Sequence, residues 1–155
     1  MTGTVEGNPP DRLRTDISNL EFALANVTYL SPVQTTAFRD FYAFEAHVKA
    51  ERQKRGVDLP AEWTETPTFY YCNPNTFYSH QAEVSYPAYT KELDYALEIG
   101  CMIGNPGRDI SPENAYGYLW GYTILNNWTL GCWLQVGDVI ELEVERLGLL
   151  RNSIV

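Results

Sequence analysis

The sequence predicts an α+β fold that is mostly β, and three features carry that expectation. Aromatic residues make up 14% of the 155 positions, and aromatic side chains favour pleated, half-buried surfaces. Ile140, Leu142 and Val144 alternate with Glu141, Glu143 and Glu145, the period of a strand with one solvated face. One stretch, about Thr36 to Arg55, has helical spacing: Phe38, Phe41, Phe44 and Val48 recur at three and four residues, and Tyr42 follows Phe38 by four.

The elements follow in order. Residues 1–17 form a flexible lead-in and residues 18–155 a single domain. Leu20 to Leu30 reads as a short strand or a short helix, closed by Ser31-Pro32. The helix of Thr36 to Arg55 stops at Gly56. Pro60 to Thr66 is a loop, and Thr68 to Cys72 is a short strand broken by Asn73-Pro74-Asn75. Leu93 to Gly104 is a long strand, with Tyr95, Leu97, Ile99 and Cys101 on its core face and Asp94, Ala96, Glu98 and Gly100 on the other. Gly104-Asn105-Pro106-Gly107 turns the chain. Ser111-Pro112-Glu113 reads as an N-cap, a proline at the first helical position and an acidic first turn. Tyr116 to Trp128 is another strand. Val136-Gly137-Asp138 is a turn into the Ile140 strand, and Leu149 to Ile154 returns after Gly148. No internal repeat or low-complexity tract is visible.

Charge narrows the function classes. Lys and Arg total 11 against 20 Asp and Glu, a net charge of −9. Such a chain is a poor ligand for nucleic acid or an anionic membrane. Its one basic cluster, Lys49, Arg52, Lys54 and Arg55, reads as the solvated end of a helix. The apolar run Tyr116 to Leu125 is too short to span a bilayer. Cys72, Cys101 and Cys132 are odd in number and widely spaced, and read as buried free thiols in the cytosol. The sequons at Asn26 and Asn127 then arise by chance.

The residues leave the chemistry open. Asp40 and His47, seven apart, share a face if both lie on the helix; they are either a metal ligand beside a general base or a surface pair. Glu98 sits among small neighbours and is either a ligand or an exposed strand glutamate. Asn126-Asn127-Trp128 places amides beside an aromatic ring, which alone is a turn signal.

Taken in order, these segments resemble a known family. Arg39-Asp40-Phe41-Tyr42-Ala43-Phe44-Glu45-Ala46-His47-Val48 is similar to the start of the catalytic domain in the fumarylacetoacetate hydrolase family. Leu93-Asp94-Tyr95-Ala96-Leu97-Glu98-Ile99 resembles its metal-binding strand, with Ile103-Gly104-Asn105-Pro106-Gly107-Arg108-Asp109-Ile110 following. Gly121-Tyr122-Thr123-Ile124-Leu125-Asn126-Asn127-Trp128 resembles the next block. Trp133 to Glu143 and Gly148 to Asn152 resemble the closing hairpin. The likeness extends from about Val27 to Asn152.

The resemblance implies a mixed β-sandwich roll with flanking helices, usually a homodimer. It implies Mg²⁺ or Ca²⁺ held by carboxylates and chelated by a 1,3-dicarbonyl acid such as an acylpyruvate or fumarylacetoacetate. A histidine activates water, the C–C bond breaks, and the metal holds the enolate leaving group. Carried over by position, Asp40 and Glu98 match metal carboxylates, His47 the catalytic base, and Tyr42 and Tyr70 substrate contacts.

Two ligand positions depart from the pattern: Ala96 has no ligand atom and Asn127 is neutral. Affinity for such cations depends on ligand charge and count, so metal binding is expected to be weak or lost. The chain also passes from Thr129 almost directly to a segment that belongs near the family's end. The domain is therefore truncated in its middle, and exposed sheet edges or a partner chain are expected. Three functions stay open: a hydrolase of dicarbonyl acids with a degraded site, a non-catalytic binding or dimerising module, and a shortened gene product. A cupin-type metal barrel is the alternative fold, and two histidines in the whole chain argue against its usual site.

Overall fold

A computed structural model describes residues 27–155 except Cys132. The expected lead-in of residues 1–17, residues 20–26 of the next segment, the sequon at Asn26, and Cys132 lie outside the described residues. Val27 to Leu30 has no regular structure. The fold is α+β and mostly β: the described residues form seven strands, one α-helix and two short 3₁₀ helices. The described residues divide into two compact units, one of Val33–Phe77 and one of Tyr78–Val155 with residues 27–32. Among the described residues no helix is long and apolar enough to cross a membrane.

In the Val33–Phe77 unit, β1 (Phe38–Phe41) pairs antiparallel with β2 (Phe69–Cys72), and α1 spans Glu45–Lys54. The expected helix therefore starts nine residues late, at Glu45 instead of Thr36. The β-rich run of β2 offers Phe38–Phe41 a partner, and the Tyr42 N–H extends the ladder to the Thr68 carbonyl at 3.1 Å. Phe38 and Phe41 then point to opposite faces, against Phe77 and Phe69 at ring distances of 5.1 and 5.3 Å. Their three-residue spacing is compatible with a helix locally, but long-range pairing prevails. The helix ends as expected: Gly56 adopts a left-handed φ of +69°, and its N–H donates to Gln53 at 2.9 Å. The basic cluster is a solvated helix end, with Lys54 paired to Glu51 at 2.6 Å. Val48 is the buried side chain of this unit.

In the larger unit, β3 (Glu83–Val84), β7 (Gly148–Ile154) and β6 (Val139–Val144) form a sheet in that order. β6 and β7 are antiparallel, and β3 runs parallel to β7. Ile140 and Leu142 of β6 turn inward and join Val84, Leu93, Leu134 and Ile154 in one core. Glu141 and Glu143 face solvent as expected, while Glu145 lies past the strand, where the chain turns into Gly148 at φ +99°. The turn before β6 forms through Gly137, also at +99°. Asn152 is directly opposite Ile140 and is 3% exposed. Its Nδ2 donates to the carbonyls of Ser79 and Ala82, both at 3.0 Å. The same loop is held by Gln81 N–H to the Arg151 carbonyl at 2.7 Å and by Arg151 N–H to His80 Nδ1 at 3.1 Å.

Among the described residues, β4 (Leu93–Ile103) and β5 (Leu119–Leu130) pair only with each other, as a long antiparallel ribbon. Here the expected core face is covered on β5 but not on β4. Tyr95, Leu97, Ile99 and Cys101 are exposed, while Ala96, Glu98 and Gly100 are half-buried. The cause lies across the ribbon. Trp128 and Ile124, the partners of Tyr95 and Ile99, pack on the core, and the β4 half of that face extends beyond it. The described cysteines are not buried, contrary to expectation: Cys101 is exposed and Cys72 half-buried. Between the ribbon strands, Pro112–Tyr118 is a 3₁₀ helix. Ser111 makes no capping bond to its backbone. Its oxygen accepts from Asn114 Nδ2 at 2.9 Å, and its hydroxyl donates to the Glu113 carboxylate, which holds that carboxyl below its ordinary range.

Candidate functional site

The Val33–Phe77 unit brings four expected site residues together on short elements. In β1 the burial alternates, so Asp40 lies on the more covered face with Phe38, opposite the exposed Arg39 and Phe41. Asp40 is directly across from Tyr70, which puts both on one face of the ribbon. Tyr42 follows at the next even position, and its carbonyl accepts the indole N–H of Trp63 at 3.2 Å. Asp40 and His47 do not share a helix face, because Asp40 is in a strand. Instead the bend between β1 and α1 brings His47 against Tyr42, ring centroids 5.8 Å apart and nearly perpendicular at 88°. The His47 imidazole is exposed on the first turn of α1. One helical turn on, Glu51 sits below the ordinary carboxylate range, chiefly through its bond to Lys54, with His47 a lesser contributor.

This arrangement suits proton transfer. An exposed imidazole can take or give a proton, and its edge contact with Tyr42 orients the ring. Arg39 on the opposite face has its guanidinium 4.9 Å from the Tyr71 ring and 5.7 Å from that of Phe69. That is a cation stacked on an aromatic platform. It is not among the expected site residues, although the strand alternation of β1 contains the signal.

In the larger unit, Ala96, Glu98 and Asn127 lie on one face of the β4–β5 ribbon. Ala96 is opposite Asn127, and Glu98 is opposite Leu125, so Asn127 is the diagonal neighbour of Glu98. Asn127 Nδ2 donates to Glu98 Oε1 at 3.2 Å. An ionised carboxylate only accepts, so the amide must present its NH₂ group to it. The small Gly100 keeps the face tight. A Cβ there would stand 3.0 Å from Thr123 Cγ2 and 3.8 Å from Leu125 Cβ.

The divalent cation that the family resemblance implies finds a poor donor set on this ribbon. A hard dication takes several oxygen ligands, preferably charged. Here Ala96 contributes none, and the Asn127 amide directs hydrogens at the one carboxylate. Among the described residues of this unit no three His, Cys, Asp or Glu side chains come together. The residues present on the ribbon do not fit the group. The Asn127 sequon is likewise internal to a strand, with its amide engaged.

The comparisons with known proteins agree with the sequence motifs. The family model described as fumarylacetoacetate (FAA) hydrolase C-terminal matches residues 36–133. A 74-residue stretch is 39% identical to oxaloacetate tautomerase YisK of Bacillus subtilis (strain 168). That stretch is 47% of this chain and 23% of the relative, so the match spans about a quarter of the relative's length. No solved structure matches the chain.

Proposed function

The chain belongs to the fumarylacetoacetate hydrolase family, and from that membership we propose that it is a keto-acid domain whose site is degraded for metal-assisted C–C cleavage. The observation that carries the proposal is the pairing of Asn127 with Glu98 beside Ala96, where the family pattern has carboxylates. Cleaving a dicarbonyl acid leaves an enolate, and that charge needs a strong electrostatic sink. The ribbon offers none. His47 and Tyr42 remain able to meet a small keto acid, with Tyr70 beside Asp40 as a further contact. Exposed apolar residues on β4 support a homodimer, and the odd number of widely spaced cysteines supports the cytosol.

A second reading has its own support. The similarity to an oxaloacetate tautomerase favours keto–enol proton transfer on a 2-keto acid. That reaction needs a base but no carbon leaving group, so it asks less of the site.

The test is an ultraviolet assay. An acylpyruvate mixed with the purified chain and Mg²⁺ is expected to keep its absorbance. Turnover that disappears in His47→Ala would overturn the degraded-site reading. Faster decay of enol-oxaloacetate than in buffer, lost in the same variant, would select the tautomerase reading.

A further inference from the structure

We propose that the Asn127 side chain stands in for a cation: its amide neutralises the demand of Glu98 and makes the ribbon independent of metal. The inference rests on the family reading above and names what replaced the metal. Glu98 is half-buried at the middle of β4, flanked on its own strand by Ala96 and Gly100 and across the ribbon by Leu125. A carboxylate placed beside methyl groups requires compensation by hydrogen bonds or by an opposite charge. In this chain Asn127 Nδ2 supplies such a bond at 3.2 Å. A cation supplies it only when bound, whereas the amide supplies it permanently. The two substitutions are then coupled. With alanine at 96 and asparagine at 127, neither position sets a like charge beside Glu98, and Asn127 gives it a donor.

Restoring a carboxylate at 127 should undo this. Asn127→Asp would place two negative groups diagonally across the ribbon and withdraw the donor. Without metal they repel; with metal they share it.

The experiment is thermal unfolding of the full chain with a chelator or with millimolar Mn²⁺, alongside Mn²⁺ titration followed by electron paramagnetic resonance. The wild type is expected to melt at the same temperature in both conditions and to bind no Mn²⁺ below millimolar. Asn127→Asp is expected to melt several degrees lower in chelator, to recover with Mn²⁺, and to bind Mn²⁺ at least tenfold more tightly. The exchanged pair Glu98→Gln with Asn127→Asp keeps one amide and one carboxylate. It should melt near the wild type and ignore Mn²⁺, and it decides the question if the single variant does not fold. Submillimolar Mn²⁺ binding by the wild type, lost in Glu98→Gln, would overturn the proposal, as would an exchanged pair no more stable than Asn127→Asp. These results are separable from the reading above. Metal binding without acylpyruvate turnover sinks the amide assignment alone, and turnover in chelator sinks the degraded-site reading alone.

Discussion

Within the larger unit, the β3-β7-β6 sheet and the β4–β5 ribbon solve the same packing problem to different degrees. The sheet buries one face completely enough that Ile140, Leu142 and Ile154 are 5% exposed or less. Its one buried polar side chain, Asn152, meets two carbonyls. The ribbon is longer but has no third strand among the described residues. Ile103 is 70% exposed and Leu97 48%. Two buried nitrogens of β5, Trp120 Nε1 and Asn126 Nδ2, meet no hydrogen-bond partner among the described residues. The Asn126 side chain shares the face of the exposed Leu97, its partner in register. A hairpin with a short turn carries its own core-facing register, whereas a ribbon of this length depends on a surface that its own strands do not supply.

The sharpest way to break this contrast is to truncate one leucine in each region. Leu142→Ala should cost about 2–5 kcal/mol, the range for emptying a packed core site. Leu97→Ala should cost about 0.5 kcal/mol or less, as at other exposed sites. Denaturant unfolding of both variants checks this, and equal costs would show that the two faces are equally covered.

Asn152→Ala comes next. It takes the Asn152 donor from the Ala82 carbonyl and leaves the Ser79 carbonyl only the Ala82 N–H at 3.2 Å, at a cost of about 1–3 kcal/mol if the Ala82 group stays dry. Amide exchange should speed up around residues 79–84, because the loop that leads into β3 is pinned there. Exchange unchanged in that loop would mean that the β3–β7 pairing alone holds it.

The smallest effect is in acid. Glu51 and Glu113 have carboxyls below their ordinary range, held by Lys54 and by the Ser111 hydroxyl respectively. A lowered native pKa means that the unfolded state binds the proton first. The stabilisation is therefore present above the unfolded value and lost as the pH falls through the native one. Ser111→Ala should return Glu113 toward the ordinary carboxylate range in an NMR titration and leave Glu51 unchanged. Glu113 is exposed and Glu51 half-exposed, so the effect on unfolding should be slight.

Much of the fold was legible because it is written locally. The alternation from Ile140 to Glu145 specifies a strand and its inner face, and Gly137 and Gly148 mark the turns on either side. Leu93 to Gly104 and Thr68 to Cys72 appear as strands close to the expected bounds. The helix starts later than its spacing implies because Phe38 and Phe41 fit one face of a helix but also fit opposite faces of a strand. The partner that decides between them, β2, lies some thirty residues away.

By itself the sequence determined the family motifs, the acidic surface and the residue types at each candidate position, including the absence of a ligand atom at Ala96. Those are properties of individual side chains. Only the tertiary structure decided that Asn127 reaches Glu98, that His47 meets Tyr42, and that the apolar face of β4 is left outside. Each depends on register between strands, and register is fixed by long-range pairing and burial that no local pattern encodes.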